Sequence, residues 1–462
     1  MNIKLQDLRR CMLLCTPRIA IASAALVLLS ACGDGDGHND ANTLPPSGVN
    51  LQVVAFGTSL SDAGTYSEQV LLGFGGGRFT TNPGEVWAQK VSEYFGNSLS
   101  PAFEGGFGLP LTATGGLDYA QGGAMVFAGG VSDTSAAIPA ASAQPITWQV
   151  SQYLAQHGGF NTNQLVLVEG GANEILALLQ DSGTKLIAFA TALGSSNFTA
   201  AISNPSTQQA AIEALIQQGF TQKQATALAP AAIALYIIAS DPNAATNFAS
   251  VMPILQAART LGTLVNSQIV GEPKVVVVTA PDIGKTPAAL AADASANVAP
   301  SSANAPDRAL SLISAMYNLT LLKQLGPNVA TGKVVVVDTF SWLDQSLQNA
   351  TSLGFTVTNT DTACNLAQMK SNATNYALAR PQETLGLDPA TTAPASLTSA
   401  AQQYGQAFGL ALFCSPETLK TASASTTYMF ADLAHPTTAL HAQFAAYVEA
   451  NLAAAGIGKI SQ

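Results

Sequence analysis

Charge is what this sequence has least of. Only 10% of its residues are Asp, Glu, Lys or Arg, and the balance is acidic, a formal −10 at neutral pH. Phosphate backbones are held by clustered cations, so nucleic acid is not expected as a partner. Histidine is nearly as rare: His38, His157, His435 and His441 are all there are. Cys364 and Cys414 have no histidine cluster beside them and cannot make up four ligands, so no metal is expected. The glycine-rich stretch Gly73-Phe74-Gly75-Gly76-Gly77 lacks the Gly-Lys-Ser/Thr that a P-loop needs, and reads better as a substrate-facing loop. Near the N-terminus, residues 19–29 form an apolar run too short to cross a bilayer comfortably. No series of alternating strands follows the last helix pattern, so no appended membrane β-barrel is expected.

What is present in quantity is apolar sequence, 48% of the chain. Residues 51–56, 165–168, 274–279 and 333–338 are continuous apolar runs, and the last two are almost pure valine. Runs without alternation suit a parallel sheet covered on both faces. Residues 85–95 carry Val86, Trp87, Val91, Tyr94 and Phe95 at helical spacing. Further helices are expected over 148–156, 307–325, 341–350 and 438–452, and a short strand over 117–121. Residues 175–269 are helical in character, with breaks at Pro205, Gly219, Pro230, Pro242 and Pro253. Within them about 195–248 reads as a helical insertion, either a cap over the site or extra packing. Residues 351–427 read as irregular, rich in Thr, Ala and Pro.

Two stretches carry chemistry. Gly57-Thr58-Ser59-Leu60-Ser61-Asp62 begins where the first strand ends, the edge at which open α/β sheets place their ligands. A serine hydroxyl is a poor nucleophile until a base takes its proton, and that base needs a carboxylate to fix its tautomer. Asp432-Leu433-Ala434-His435-Pro436 offers both from one loop. His435 alone among the histidines has an acid three residues away in a loop before a helix. His441 reads as structural and His157 as a turn residue.

Two more blocks lie between these ends: Asp118-Tyr119-Ala120-Gln121-Gly122-Gly123-Ala124 and Gly170-Gly171-Ala172-Asn173-Glu174. Taken in order, the four resemble the blocks of the GDSL-type esterases and lipases, also called SGNH hydrolases, over about residues 50–455. The resemblance implies an α/β fold, a three-layer α/β/α sandwich with a five-strand, mainly parallel sheet. It implies Ser59 as nucleophile, His435 as general base and then acid, and Asp432 as its orienter. The backbone N–H groups of Ser59 and Gly123 and the Asn173 amide would form the oxyanion hole. The implied activity is hydrolysis of carboxylic esters through an acyl-serine, by a monomer without cofactor or metal. An acyltransferase, a polysaccharide deacetylase and a non-catalytic binding lipoprotein are the rivals. Asn173 could equally be a helix N-cap. Thr58 and Glu174 stand where the family usually has aspartate.

The N-terminus reads as a processing segment, 1–31, with Lys4, Arg9, Arg10 and Arg18 ahead of the apolar run. Leu29-Ser30-Ala31-Cys32 resembles a lipobox, which would leave Cys32 lipidated and the protein anchored to the outer membrane. The alternative is ordinary cleavage near Ala31 and a secreted or periplasmic protein. Residues 32–50 would be a flexible tether and 51–462 the hydrolase domain. Cys11 and Cys15 leave with the signal, and Cys364 and Cys414 remain as an even pair in an oxidising compartment. They form either a disulfide or two separate buried thiols.

Overall fold

A computed structural model describes residues 50–458 apart from 68–69, 71–73, 107–108, 128–142, 180–182, 196 and 303–304. Residues 1–31, read above as a signal segment, Cys32 and all but the last residue of the expected tether lie outside the described residues.

The chain is mixed α/β. Its main sheet has four parallel strands in the order β1 (Gln52–Phe56), β4 (Gln164–Glu169), β5 (Lys274–Val278), β6 (Val334–Val337). Strands β2 (Phe103–Gly106) and β3 (Leu109–Ala113) form a separate antiparallel pair. The helices that position the site are α1 (Trp87–Tyr94), α2 (Ile146–His157), α3 (Ala172–Leu176), α4 (Gln222–Ser240), α5 (Met252–Gln268), α6 (Pro306–Ala330), α7 (Thr339–Gln348), α8 (Leu366–Ala379), α9 (Pro394–Phe408) and α10 (Thr438–Ala454).

The runs do largely what their lack of alternation demands: both faces are covered, with Val335 and Val336 of the edge strand β6 half-buried. Val54, Val166, Val275 and Val277 pack against α2, α5 and α6, while Val53, Leu165, Val276 and Val278 pack against α1 and α10. Each such side chain stabilises the fold by roughly 1.5–3 kcal/mol. The second face matters most for function, because it clamps the two ends of the sequence together. Trp87 of α1 meets Phe444 of α10 edge to face at 5.3 Å.

Several expectations need correction. Residues 117–121 do not form a full strand: only Asp118 bridges, parallel, to Ala55 of β1 and to Pro101. The Asp118 carboxylate is turned to the backbone N–H groups of Ala63 and Ala120, and glycines flank the segment. Pro230 does not break a helix but sits inside α4, where burial of Ala229, Ala231, Ile233 and Ile237 outweighs the lost backbone hydrogen bond. By length and composition α4 could also cross a bilayer, but here it packs into the core. Residues 351–427 are not irregular. They hold α8 and α9, which pack with Tyr66, Val70 and Phe79 into a second apolar cluster.

Cys364 and Cys414 are both buried within that cluster, with Cα atoms 5.8 Å apart, joined as a disulfide. The closed loop spans 50 positions, so the bridge is worth about 4 kcal/mol in the chain-entropy model. Replacing both cysteines by serine should lower the thermal unfolding midpoint. It should also lower activity more than it lowers the midpoint of the main sheet, because the loop braces the acid of the site. Hydrogen exchange read at the sheet and at 364–414 separately checks this.

Candidate active site

Ser59 sits on a turn at the carboxyl end of β1, and the turn is fixed from below. The Gln149 side chain of α2 accepts from the Gly57 N–H and donates to the Gly57 carbonyl, both at 2.9 Å. The Glu169 carboxylate, at the end of β4, accepts from the Thr58 N–H and the Ser61 hydroxyl. A side chain at position 57 would collide with Glu169, its Cβ 2.4 Å from the carboxylate, which is why glycine precedes Thr58. Asp62 accepts from the N–H groups of Gly64, Thr65 and Gly122, tying the serine turn to the glycine block. Burial pushes the carboxyls of Asp62, Asp118 and Glu169 up, against the hydrogen bonds that each accepts.

The histidine loop closes onto this turn across 376 positions. Its ends pair as a short antiparallel bridge between Phe430 and Pro436, and Ala431 N–H donates to the His435 carbonyl at 2.8 Å. Asp432 Oδ1 accepts from the backbone N–H groups of Ala434 and His435 at 2.8 and 2.7 Å. Asp432 Oδ2 accepts from His435 Nδ1 at 2.8 Å and from the Ala411 N–H at 2.6 Å. Burial raises the Asp432 carboxyl, but the His435 charge and these hydrogen bonds outweigh it and hold it below the usual range. A carboxylate only accepts, so the proton of neutral His435 rests on Nδ1. Nε2 is then free to accept, and the Ser59 hydroxyl lies 2.9 Å from it. The Phe79 ring packs on the imidazole at 5.1 Å between centroids.

Gly123 and Asn173 line the same cavity as Ser59. Gly123 takes φ +85°, which a side chain would resist. Among the described residues neither its N–H nor that of Ser59 is taken up by a protein acceptor. Asn173 is not an N-cap. Gly171 holds that position without a side-chain bond, and Asn173 lies inside α3. One N–H of its amide donates to the Ala124 carbonyl at 2.7 Å, so the glycine block orients the amide. Ser59, Gly123 and Asn173 all line one cavity, and backbone N–H groups and side-chain amides are donors of the kind that can receive a carbonyl oxygen as it becomes anionic.

Glu174, one residue on, accepts from the Val126 N–H at 2.6 Å, while its other oxygen is buried without a partner. Burial pushes it from 4.5 up to about 7. The folded state therefore favours the protonated acid. That contribution to stability is complete below about pH 4.5 and is lost as pH rises through 7. Glu174→Gln keeps the acceptor for Val126 and carries no charge. It should match the parent near pH 4 and be more stable at pH 8 by up to about 3 kcal/mol, at about 1.4 kcal/mol per unit. Urea unfolding at the two pH values measures it.

The cavity beside Ser59 has a volume of about 240 Å³. Its walls come from the end of β5, Val278 and Thr279, and from helices, Trp87, Thr339, Leu440 and Phe444. No described residue of 195–248 lines it, and within that stretch α4 packs against α6. The described part of the glycine-rich loop, 74–77, does not line it either: Gly77 N–H donates to the Leu412 carbonyl and Gly76 packs on the same backbone. His157 ends α2 and stacks on Tyr153, away from the cavity. His441 is buried as a structural residue would be, yet it forms part of the wall. Sequence reasoning missed Gln149, Glu169 and Ala411. Glu169 alone left a signal, a carboxylate closing an otherwise apolar strand. Among the described residues no group of three His, Cys, Asp or Glu side chains could hold a metal ion. A scan against protein-family models finds no match for the chain, and neither does a search of curated proteins.

Proposed function

We propose that this protein is a serine ester hydrolase. The observation that carries the reading is the chain Asp432 to His435 to Ser59, at 2.8 and 2.9 Å, beside three hydrogen-bond donors and an apolar cavity. Ser59 Oγ attacks the ester carbonyl as its proton passes to His435 Nε2. The carbonyl oxygen, now anionic, is received by the N–H groups of Ser59 and Gly123 and the free N–H of Asn173. The C–O bond to the alcohol breaks, and His435 returns the proton to the leaving oxygen. Water then repeats the cycle: His435 takes its proton, its oxygen attacks the acyl carbon, and the Ser59–acyl bond breaks to release the acid. Asp432 holds the imidazole and balances its charge without itself taking the proton.

The four blocks in order also support membership of the GDSL-type esterases and lipases. The parallel bridge at Asp118, on the far side of β1 from β4, stands where a fifth strand would extend the sheet. An exported protein anchored through Cys32 is the localisation that this reading carries, from the sequence of residues 1–32 alone.

The test is hydrolysis of p-nitrophenyl esters from acetyl to palmitoyl, with Ser59→Ala beside the parent. Turnover that the variant loses supports the reading. Equal rates in both proteins, or no turnover at any length by folded parent, contradicts it.

A further inference from the structure

The Asp432 carboxylate takes four hydrogen bonds, and three of them come from its own loop. The N–H groups of Ala434 and His435 and the His435 Nδ1 all move with it. Among the described residues the Ala411 N–H, 2.6 Å from Oδ2, is the only donor from outside that loop. Of the bonds to its side chain, this one alone ties the acid to another part of the chain. Ala411 opens a short 3₁₀ turn, Ala411–Phe413, so whatever holds that turn sets where the acid sits.

Asn82 holds it. Four carbonyl oxygens lie within 3.2 Å of Asn82 Nδ2: those of Ala411 and Cys414, at 3.2 and 2.9 Å, and those of Arg78 and Thr80, at 2.8 and 3.2 Å. An NH₂ group shares two hydrogens over these acceptors, and the amide is turned that way because Oδ1 accepts from the Arg78 N–H at 3.0 Å. The Asn82 N–H also donates to the Cys414 carbonyl, at 3.1 Å. Asn82 is buried and does not line the cavity, so it acts without touching substrate. Its neighbours grip the far side of the base. Thr80 Oγ1 donates to the Pro436 carbonyl at 3.0 Å, and the Thr438 N–H donates to Thr81 Oγ1 at 3.0 Å. Residues 80–82 thus bond the exit of the histidine loop through two side chains and the turn that serves its acid through the third.

We propose that Asn82 is a positioning residue for the acid of the site: its amide fixes the turn whose Ala411 N–H sets the Asp432 carboxylate against His435. The proposal rests on the serine-hydrolase reading and adds to it a residue outside the triad, the oxyanion donors and the cavity. Misplacing a reacting group by about 1 Å can cost on the order of a hundredfold in rate, so a loosened turn has a visible effect. Without the amide, each turn carbonyl keeps one partner, the Cys414 N–H for Ala411 and the Asn82 N–H for Cys414. The fold therefore survives while the cross-tie is lost.

The experiment is a double-mutant cycle on kcat for a p-nitrophenyl ester. The proteins are the parent, Asn82→Ala, Asp432→Ala and the two changes together, each checked by urea unfolding. Asn82→Ala should lower kcat by about tenfold or more. In the Asp432→Ala background the same change should cost less than about twofold, because the turn then has no acid to place. A loss below about twofold in the parent background overturns the proposal. So does an equal factor in both backgrounds, since a merely structural residue acts alike with and without the acid. Asn82→Ser, which keeps one short donor, takes its place in the cycle if Asn82→Ala does not fold. Proton NMR reads the brace without substrate. The downfield signal of the Nδ1–H bonded to Asp432, identified by its loss in Asp432→Ala, should move upfield in Asn82→Ala, and an unmoved signal overturns the proposal. No turnover by folded parent, with a signal that moves, supports the brace and overturns the hydrolase. Turnover lost in Ser59→Ala, with equal factors in the cycle, does the reverse.

Discussion

Ser59→Ala is expected to lower kcat for a p-nitrophenyl ester by about 10⁵- to 10⁶-fold, with the protein fully folded and KM little changed. The size follows from the chemistry. Without the hydroxyl there is no covalent step, and what remains is attack by water near the oxyanion donors. The fold should not notice, since Ser59 Oγ bonds only His435 among the described residues. The turn itself is held by Gln149, Glu169 and Asp62, not by Ser59. A residual rate above about 1% of the parent would locate the nucleophile elsewhere.

The second large effect is that of Asp432→Asn, expected to cost about 10⁴-fold in kcat. The two oxygens of Asp432 are all acceptors: one for the Ala434 and His435 N–H groups, the other for His435 Nδ1 and the Ala411 N–H. An amide has one acceptor end. If its oxygen keeps Ala434 and His435, its NH₂ faces Nδ1 and forces the proton to Nε2, where it blocks acceptance from Ser59. If it flips, Nδ1 is served but two backbone N–H groups face a donor. The first arrangement loses rate and also leaves the Ala411 N–H facing a donor, the second strands two N–H groups, and each buried unpaired group costs roughly 1–3 kcal/mol of stability. Steady-state rates with urea unfolding on the same preparation measure both. Activity within tenfold of the parent at unchanged stability would remove Asp432 from the mechanism.

Much of this arrangement is legible in the sequence, and for a physical reason. Valine runs buried on two faces can only be strands of a covered parallel sheet, and β1, β4, β5 and β6 form as their runs imply. Chemistry-bearing residues directly after such runs must share one edge, and Ser59 and Asn173 do. The base is legible because so few histidines compete. The bridging of Cys364 to Cys414 is one of the two alternatives that parity left open, since only two cysteines lie beyond residue 32.

What stayed hidden has no local signature. Helix α8 buries Met369, Ala373, Tyr376 and Ala377, a correct helical spacing, but two of the four are alanines in a Thr- and Ala-rich stretch, where burial and exposure look alike. Strands β2 and β3 contain Gly105, Gly106 and Pro110, residues that argue against strands. The N–H of Ala411 reaches Asp432 only because a separate helical cluster packs there, and no residue type marks a backbone donor.

The most direct test of the catalytic reading is covalent capture of the nucleophile. The protein would be treated with a fluorophosphonate at neutral pH, and the adduct mapped by peptide mass spectrometry, with Ser59→Ala and His435→Ala alongside. One adduct per chain on the peptide containing Ser59, absent from Ser59→Ala and strongly slowed in His435→Ala, is the expected result. No adduct on folded protein, or labelling that persists in Ser59→Ala, would contradict it.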